Sequence, residues 1–324
     1  MTESLYSRAL IVIAAFAGVA GCGGRPSSVT PAEPLTRFVP GPAIAGPVIV
    51  PTVPLPVTGP RGWPDAAKRA KPILFVSDLQ GNVVRLYDPD RPNAPEEGTI
   101  TDSVMNPQGL AVDSKGSLYV SNVGSTEEAI TVYSPGKSKP RLTIQTSGYY
   151  GIAVDSKGDI FATYVGGSVY AYKPGAKKPY ESIGGFDNPV GIAVDSKDNV
   201  WVSDDSANKV YMIPAGTKEV KDAGLVGLNS PLGLSFGIGD TLYVGNFGNN
   251  VVTVYAAGSK KPSITITKGI TSPNLNGVTA ADYFFQANQF GAVVGYKKGQ
   301  KTPFSTITGS ADPLGIASSP LVKK

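Results

Sequence analysis

Short runs of alternating hydrophobic and polar residues, separated by Gly, Pro, Asp and Ser turns, recur along the chain beyond residue 72. The repeat that carries the pattern most fully has runs at residues 189–195, 199–204 and 210–213. Runs of this length that are rich in β-branched and aromatic residues predict β-strands, and helical periodicity is absent from the region. Four such runs in each repeat of about forty residues are typical of the blades of a β-propeller.

The number of repeats predicts the number of blades. Aligned repeats are spaced by 42, 40, 42, 44 and 38 residues, with the central glycine at Gly109, Gly151, Gly191, Gly233, Gly277 and Gly315. The runs at residues 73–78, 83–87 and 98–101 lack a first strand, whereas residues 313–317 resemble a first strand without followers. We therefore predict an all-β, six-bladed β-propeller over residues 73–324. The C-terminal strand joins the N-terminal blade and closes the ring, which removes exposed strand edges.

The N-terminal segment has the features of a leader. Residues 9–20 form an apolar run that is too short to span a bilayer as a helix. The stretch Val19-Ala20-Gly21-Cys22 that ends it resembles the bacterial lipoprotein signal. The resemblance implies a signal peptide over residues 1–21, cleavage before Cys22 and lipid attachment to Cys22. A secreted chain with an incidental cysteine is the alternative.

The same resemblance implies a location in the bacterial cell envelope. Gly23 follows the cysteine, which implies the outer membrane of a double-membraned host, or the outer face of the cytoplasmic membrane in a single-membrane host. Residues 22–72 form the next segment, and 12 prolines lie within residues 23–72. Such a segment favours extended polyproline geometry, so we predict a lipid-anchored tether. A Pro-rich recognition ligand is the alternative for this segment.

Composition excludes several classes of chemistry. The 324 residues include no His and one Cys, which excludes Ser-His-Asp and Cys-His catalysis, nearly all zinc or copper sites and an intramolecular disulfide. Any metal would need oxygen ligands, as calcium or magnesium does. The formal net charge of +4 comes from residues 1–72, which hold seven basic and three acidic residues. The neutral propeller lacks the concentrated positive charge of a nucleic-acid binder.

The repeat also carries a family resemblance. The pattern Pro-x-Gly-Ile-Ala-Val-Asp-Ser-x-Gly-x-Val-Tyr-Val-x-Asp, carried most fully by residues 189–204, resembles NHL-repeat propellers and the related gluconolactonase-like six-bladed propellers, and the resemblance covers residues 73–324. The resemblance implies a site around the central channel, on the face where first strands begin. Calcium-dependent lactonases of that group place Asn or Asp at the x of several Pro-x-Gly turns. This chain has Gln108, Tyr150, Val190, Leu232, Asn276 and Leu314 in those places.

Only Asn276 matches that lactonase pattern, and Val or Leu cannot replace an oxygen ligand of a hard cation. We therefore expect neither a metal nor another cofactor. A divergent metal-dependent lactonase or ester hydrolase, with Asp78, Asp204 and Asn276 around calcium, stays as the enzyme alternative.

The two faces of the predicted disc differ in their side chains. The loops between second and third strands and the crossings between blades form one face, here called the loop face. The other turns form the turn face, which collects lysines, namely Lys115, Lys137, Lys139, Lys157, Lys177, Lys178, Lys197, Lys260, Lys261, Lys297 and Lys298. These lysines could attract anionic lipid headgroups, or they could serve solvation and strand-edge protection.

Polar residues recur on the loop face, where second strands end. The candidate ligand-binding residues are Asp78, Gln108, Asn122, Tyr150, Tyr164, Asp204, Asn246, Asn276 and Asn288. A ring of Asn and Asp with the aromatic neighbours Tyr149, Tyr150, Phe247 and Phe290 suits a sugar or peptide ligand. Alternatively, these side chains bond backbone amides at the strand ends and fix the turns.

Taken together, the sequence predicts a monomeric, membrane-anchored, extracytoplasmic propeller that binds or scaffolds a sugar, a peptide or an envelope protein, without identifiable catalysis. The lipidated N-terminus would hold it to the membrane, and nucleic acid is not an expected partner. A purely structural envelope protein whose disc docks a partner is a third interpretation.

Overall fold

The computed structural model describes residues 72–123 and 128–319. The predicted signal peptide, the lipid attachment at Cys22 and almost all of the predicted tether lie outside the described residues. In the two described stretches, no helix has the length and apolarity that crossing a membrane requires.

Antiparallel strands make up nearly all of the regular structure in the described residues. In chain order they are β1 Ile73–Asp78, β2 Val83–Tyr87, β3 Gly98–Ile100, β4 Pro107–Val112, β5 Leu118–Asn122, β6 Ala129–Tyr133, β7 Pro140–Gln145, β8 Tyr149–Val154, β9 Ile160–Tyr164, β10 Ser168–Tyr172, β11 Glu181–Gly184, β12 Pro189–Val194, β13 Val200–Asp204, β14 Lys209–Ile213, β15 Lys221–Asp222, β16 Pro231–Phe236, β17 Leu242–Asn246, β18 Val251–Tyr255, β19 Ile264–Ile266, β20 Pro273–Val278, β21 Phe284–Asn288, β22 Val293–Tyr296, β23 Ser305–Ile307 and β24 Pro313–Ser319. A 3-10 turn, Phe247–Asn249, follows β17.

The strands form six four-stranded sheets, which confirms the predicted six-bladed propeller. Blade one has the strand order β24-β1-β2-β3, and blades two to six follow in chain order as β4–β7, β8–β11, β12–β15, β16–β19 and β20–β23. The order in blade one also confirms the predicted closure of the ring. Strand β24 pairs antiparallel with β1, from Ile73 opposite Ser319 to Asp78 opposite Pro313.

Neighbouring blades pack face to face through apolar side chains that alternate along the strands. Between blades five and six, for example, the rings of Tyr243 and Phe284 stack at 4.5 Å with an interplanar angle of 8°. Both side chains are almost fully buried. Both faces of an inner strand are covered by the neighbouring blades. All five residues of the second strand β5 are buried for this reason.

The repeated glycine of the first strands is required by close contact between blades. A Cβ at Gly109 would overlap the carbonyl oxygen of Tyr150 in the next blade. The Ser121 hydroxyl accepts the Gly109 N–H at 2.9 Å and donates to the same Tyr150 oxygen at 2.7 Å. A glycine and a hydroxyl therefore join successive first strands around the channel.

Blade six corrects one part of the sequence alignment. Asn276 lies opposite Gln286 in this blade, as Leu234 lies opposite Val244 in blade five. Leu275 therefore takes the place of the repeated glycine, and the spacings become 42, 40, 42, 42 and 40 residues. The x position of this blade belongs to Asn274 and not to Asn276. Alignment on Gly277 was wrong by two residues, because blade six has Leu where the other blades have Gly.

Candidate functional site

Aliphatic side chains fill the middle of the propeller. The residues that line the channel interior are Leu110, Ile152, Ile192, Leu234 and Ile316, with Asn276 in the sixth position. They surround a cavity of about 20 Å³, which is room for about one water molecule. The channel interior is thus part of the core, and a larger ligand would have to bind elsewhere.

Asn276 is the polar exception in this ring. Its Nδ2 donates to Gln286 Oε1 at 3.3 Å, and its buried Oδ1 has no hydrogen-bond partner within the described residues. Gln286 Nε2 in turn donates to the carbonyl oxygen of Asn274 at 2.9 Å. In blades one to four, a Ser or Thr hydroxyl of the second strand joins successive first strands, as Ser121 does. Blades five and six have Gly245 and Ala287 at that position, and the Asn276–Gln286 pair occupies the place of the missing hydroxyls.

The Asn residues at the second-strand ends are buried and bonded to the preceding blade crossing. Asn122 Oδ1 accepts the Met105 N–H at 2.9 Å, and its Nδ2 donates to Thr131 Oγ1 at 3.0 Å. Asn246 and Asn288 repeat the arrangement in their blades, accepting the N–H groups of Asn229 and Thr271. These amides hold each crossing against the end of the second strand.

The two Asp residues of the same ring have the same type of partner. Asp78 accepts the N–H groups of Gly81, Ala311 and Asp312 at 3.1 Å each and the Arg85 Nε–H at 2.9 Å. Asp204 accepts the N–H groups of Asp187, Asn188 and Ala207 at 2.7–3.0 Å. Both carboxylates are fully buried.

Blade three replaces this arrangement with a tyrosine cluster. Tyr164 lies at the end of β9, with its ring edge-on to Tyr149 at 5.8 Å. The hydroxyls of Tyr149 and Tyr172 are 2.8 Å apart, and burial raises the pKa of Tyr149 well above its ordinary value. The crossing is held instead by Glu128, whose Oε2 accepts the Gly148 N–H at 2.6 Å.

Gln108 and Tyr150 lie at the start of the first strands of blades two and three. Gln108 is buried, and Tyr150 is half-buried. Their backbone carbonyls accept the Ser77 and Ser121 hydroxyls, each at 2.7 Å. The two residues therefore also take part in the contacts between blades.

The three residues of the calcium alternative already have hydrogen-bond partners in the protein: Asp78 and Asp204 accept backbone N–H groups, and Asn276 donates to Gln286. Asp78, Asp204 and Asn276 belong to blades one, four and six. Throughout residues 72–123 and 128–319, no group of three or more His, Cys, Asp or Glu side chains could hold a metal ion.

The loop face exposes apolar side chains at the tips of its loops, and the sequence indicates only some of them. Phe290 is 57% exposed, and Met105, Val165 and Phe247 are 40–45% exposed. They belong to four different blades, beside the paired ends of first and second strands. Phe247 and Phe290 were noted as aromatic neighbours, whereas Met105 and Val165 gave no signal in the sequence alone.

The turn face carries its aspartates as braces between blades. Asp198 accepts the Ser156 N–H at 3.0 Å and the Ser156 hydroxyl at 2.6 Å, and Asp240 accepts the same two groups of Ser196. Asp198 and Asp240 both have positive φ angles, at 61° and 54°. These two aspartates therefore join neighbouring blades on the turn face.

Comparisons with known proteins agree with the propeller fold. A streptogramin B lyase structure matches with a TM-score of 0.57 and 17% sequence identity, over 82% of this chain and 89% of that one. At this identity the likeness shows a shared fold. No protein-family model matches the chain, and no curated protein matches it either.

Proposed function

We propose that this chain is a lipid-anchored, extracytoplasmic propeller of the NHL-like type, whose loop face binds a protein or peptide ligand. The observation that carries the proposal is the set of exposed apolar side chains on that face. Association with a ligand would remove these apolar side chains from water, which favours binding at this face.

The polar ring supports a binding role by fixing the loops that carry these side chains. Asn246 and Asn288 bond the crossings, while Phe247 and Phe290 extend from the loops just beyond them. Loops whose backbone is held in this way lose little conformational entropy when a ligand binds. The recurring Asn and Asp residues would then position the contacting residues and would not touch the ligand themselves.

Anchoring at Cys22 fits this role. The lipoprotein-like signal would attach acyl chains there, and the Pro-rich residues 22–72 would hold the disc away from the bilayer. A tethered disc could then meet an extracytoplasmic partner through its loop face.

The test compares four full-length proteins by affinity capture from cross-linked envelope extract. They are the wild type, Cys22→Ser, the double variant Phe247→Ser/Phe290→Ser, and Ile238→Ser as a matched control. Ile238 is 40% exposed and lies in the turn after β16, on the turn face. We expect the double variant to recover about tenfold less partner, a loss of about 1.4 kcal/mol, and Ile238→Ser to recover as much as the wild type.

Each variant tests a separate part of the proposal. Cys22→Ser should leave the membrane fraction, and its retention there would contradict lipid anchoring. Equal recovery by the double variant and the wild type would contradict the loop-face site. Capture of glycan without any discrete protein would replace the protein or peptide ligand by a sugar.

A further inference from the structure

One position in the outermost strands distinguishes blade four from the other five blades. In blade four, this position lies opposite Val210 of the third strand. In the other five blades, the fourth-strand residue at the equivalent position is a buried isoleucine: Ile100, Ile144, Ile183, Ile266 and Ile307. In blade four this position is Ala223, whose N–H donates to the Val210 carbonyl at 2.9 Å. Replacing Ile by Ala removes three carbon atoms from the interface with blade five.

A cavity of about 270 Å³ lies at this interface. Apolar side chains form much of its wall, namely Trp201, Leu225, Phe236, Leu242 and Tyr255, with Ala223 among them. The rings of Trp201 and Phe236 meet edge-on at 5.6 Å and are only partly buried. A cavity of about 150 Å³ is enough for benzene, so this one has room for an aromatic ring with a short side chain.

Most polar groups around the cavity already have partners within the protein. Asp195 accepts the N–H groups of Lys197 and Asn199 through Oδ1, and the Asn199 amide and Trp201 Nε1–H through Oδ2. Asp240 accepts the N–H and hydroxyl of Ser196. The Asn199 Oδ1 accepts the Ala215 N–H at 3.0 Å.

Two ammonium groups at the mouth differ from this pattern. Lys197 and Lys260 line the cavity and are exposed, and neither has an ion pair within the described residues. The Lys260 Nζ lies beside Gly224, since a Cβ built on that glycine would be 3.2 Å away. The nearby Asp222 carboxylate is paired with Lys209 at 2.9 Å. The unpaired polar groups at the mouth are thus cationic hydrogen-bond donors.

We propose that this cavity between blades four and five binds a small organic carboxylate with an aromatic or branched aliphatic body. The apolar body packs against Trp201 and Phe236 in the space left by Ala223, and the carboxylate pairs with Lys197 and Lys260. The site lies on the turn face and is independent of the loop-face function proposed above.

The test titrates the full chain with phenylacetate, 3-phenylpropionate and isovalerate, and with phenylacetamide as an uncharged control. Trp63 and Trp201 are the two tryptophans of the chain, so a Trp63→Phe background makes Trp201 the fluorescent reporter. We expect saturable quenching by at least one carboxylate, with a dissociation constant of about 1 mM or lower, and at least fivefold weaker binding of the amide.

Two variants in that background decide the assignment. Ala223→Ile restores the residue of the other five blades, so it should keep the fold, and it should weaken carboxylate binding at least tenfold. Lys197→Gln/Lys260→Gln should remove the preference for phenylacetate over phenylacetamide. The proposal is overturned if no carboxylate of the panel binds, if acid and amide bind equally, or if Ala223→Ile binds as the wild type does. Should Ala223→Ile fail to fold, the lysine variant decides alone.

Discussion

At the scale of single residues, short polar side chains join one blade to the next. The Ser121 hydroxyl bridges Gly109 and the Tyr150 carbonyl, and Asp240 braces Ser196 on the turn face. The sequence allowed two roles for the polar residues at strand ends, ligand binding or backbone bonding. It could not decide between them, because partners such as Met105 and Asn122 are 17 residues apart and meet only after folding.

Asp312 is a buried carboxyl group that this network satisfies only in part. Its side chain is fully buried just before β24, and its Oδ2 has no hydrogen-bond partner in the part of the chain that the structure describes. Burial raises its pKa to about 6, the nearby Asp78 carboxylate adds to the rise, and the Phe290 N–H opposes it. Arg85 is hydrogen-bonded to Asp78 and not to Asp312.

This shift predicts the pH dependence of stability. The folded protein holds the proton more tightly than the unfolded chain, whose Asp has a pKa of about 4, so the free energy of unfolding falls as pH rises from about 4 to about 6 and stays low above that. Asp312→Asn should remove this fall, on the order of 2 kcal/mol, in urea unfolding at pH 4.5 and 7.5. Exposed Glu219→Gln is the control. An equal effect of Asp312→Asn at both pH values would contradict the assignment.

At the scale of elements, the strand pattern was predictable because each blade repeats it. Four runs per repeat become four paired strands, and the incomplete first and last repeats combine as β24-β1-β2-β3. The error in blade six arose where Leu275 replaces the repeated glycine, since only strand pairing reveals the register. Likewise, the fourth strand of blade four is reduced to Lys221–Asp222. Only the strand pairing shows that Ala223, beside the cavity, takes the place of the isoleucine of the other blades.

The closing strand should contribute strongly to stability. All seven residues of β24 are buried, and β24 covers the edge of β1. A chain that ends at Asp312 should therefore melt about 10 °C lower or more, because it exposes this edge and the apolar surface around it. A chain that ends at Ser319 keeps β24 and serves as the control in the same calorimetric scan. Equal melting temperatures for the two truncations would contradict closure by β24.

At the scale of the whole propeller, the two faces differ in what they expose. The loop face carries exposed apolar tips on loops held by buried Asn and Asp residues, while the turn face carries lysines above braced turns and also exposes Tyr180 and Ile238. Sequence alone predicted the faces and the lysines. It did not predict which side chains remain exposed, because exposure depends on how blades pack against one another. The filled channel moves the search for ligands from the centre of the ring to its faces.

The most direct test of the central claim is site-specific photocrosslinking in intact cells. Benzoylphenylalanine would replace either Phe290, which is 57% exposed on the loop face, or Tyr180, which is 48% exposed before β11 on the turn face. A loop-face binding module predicts a discrete crosslinked partner from position 290 and none of the same mass from position 180. The same product from both positions, or a partner from position 180 alone, would contradict the account.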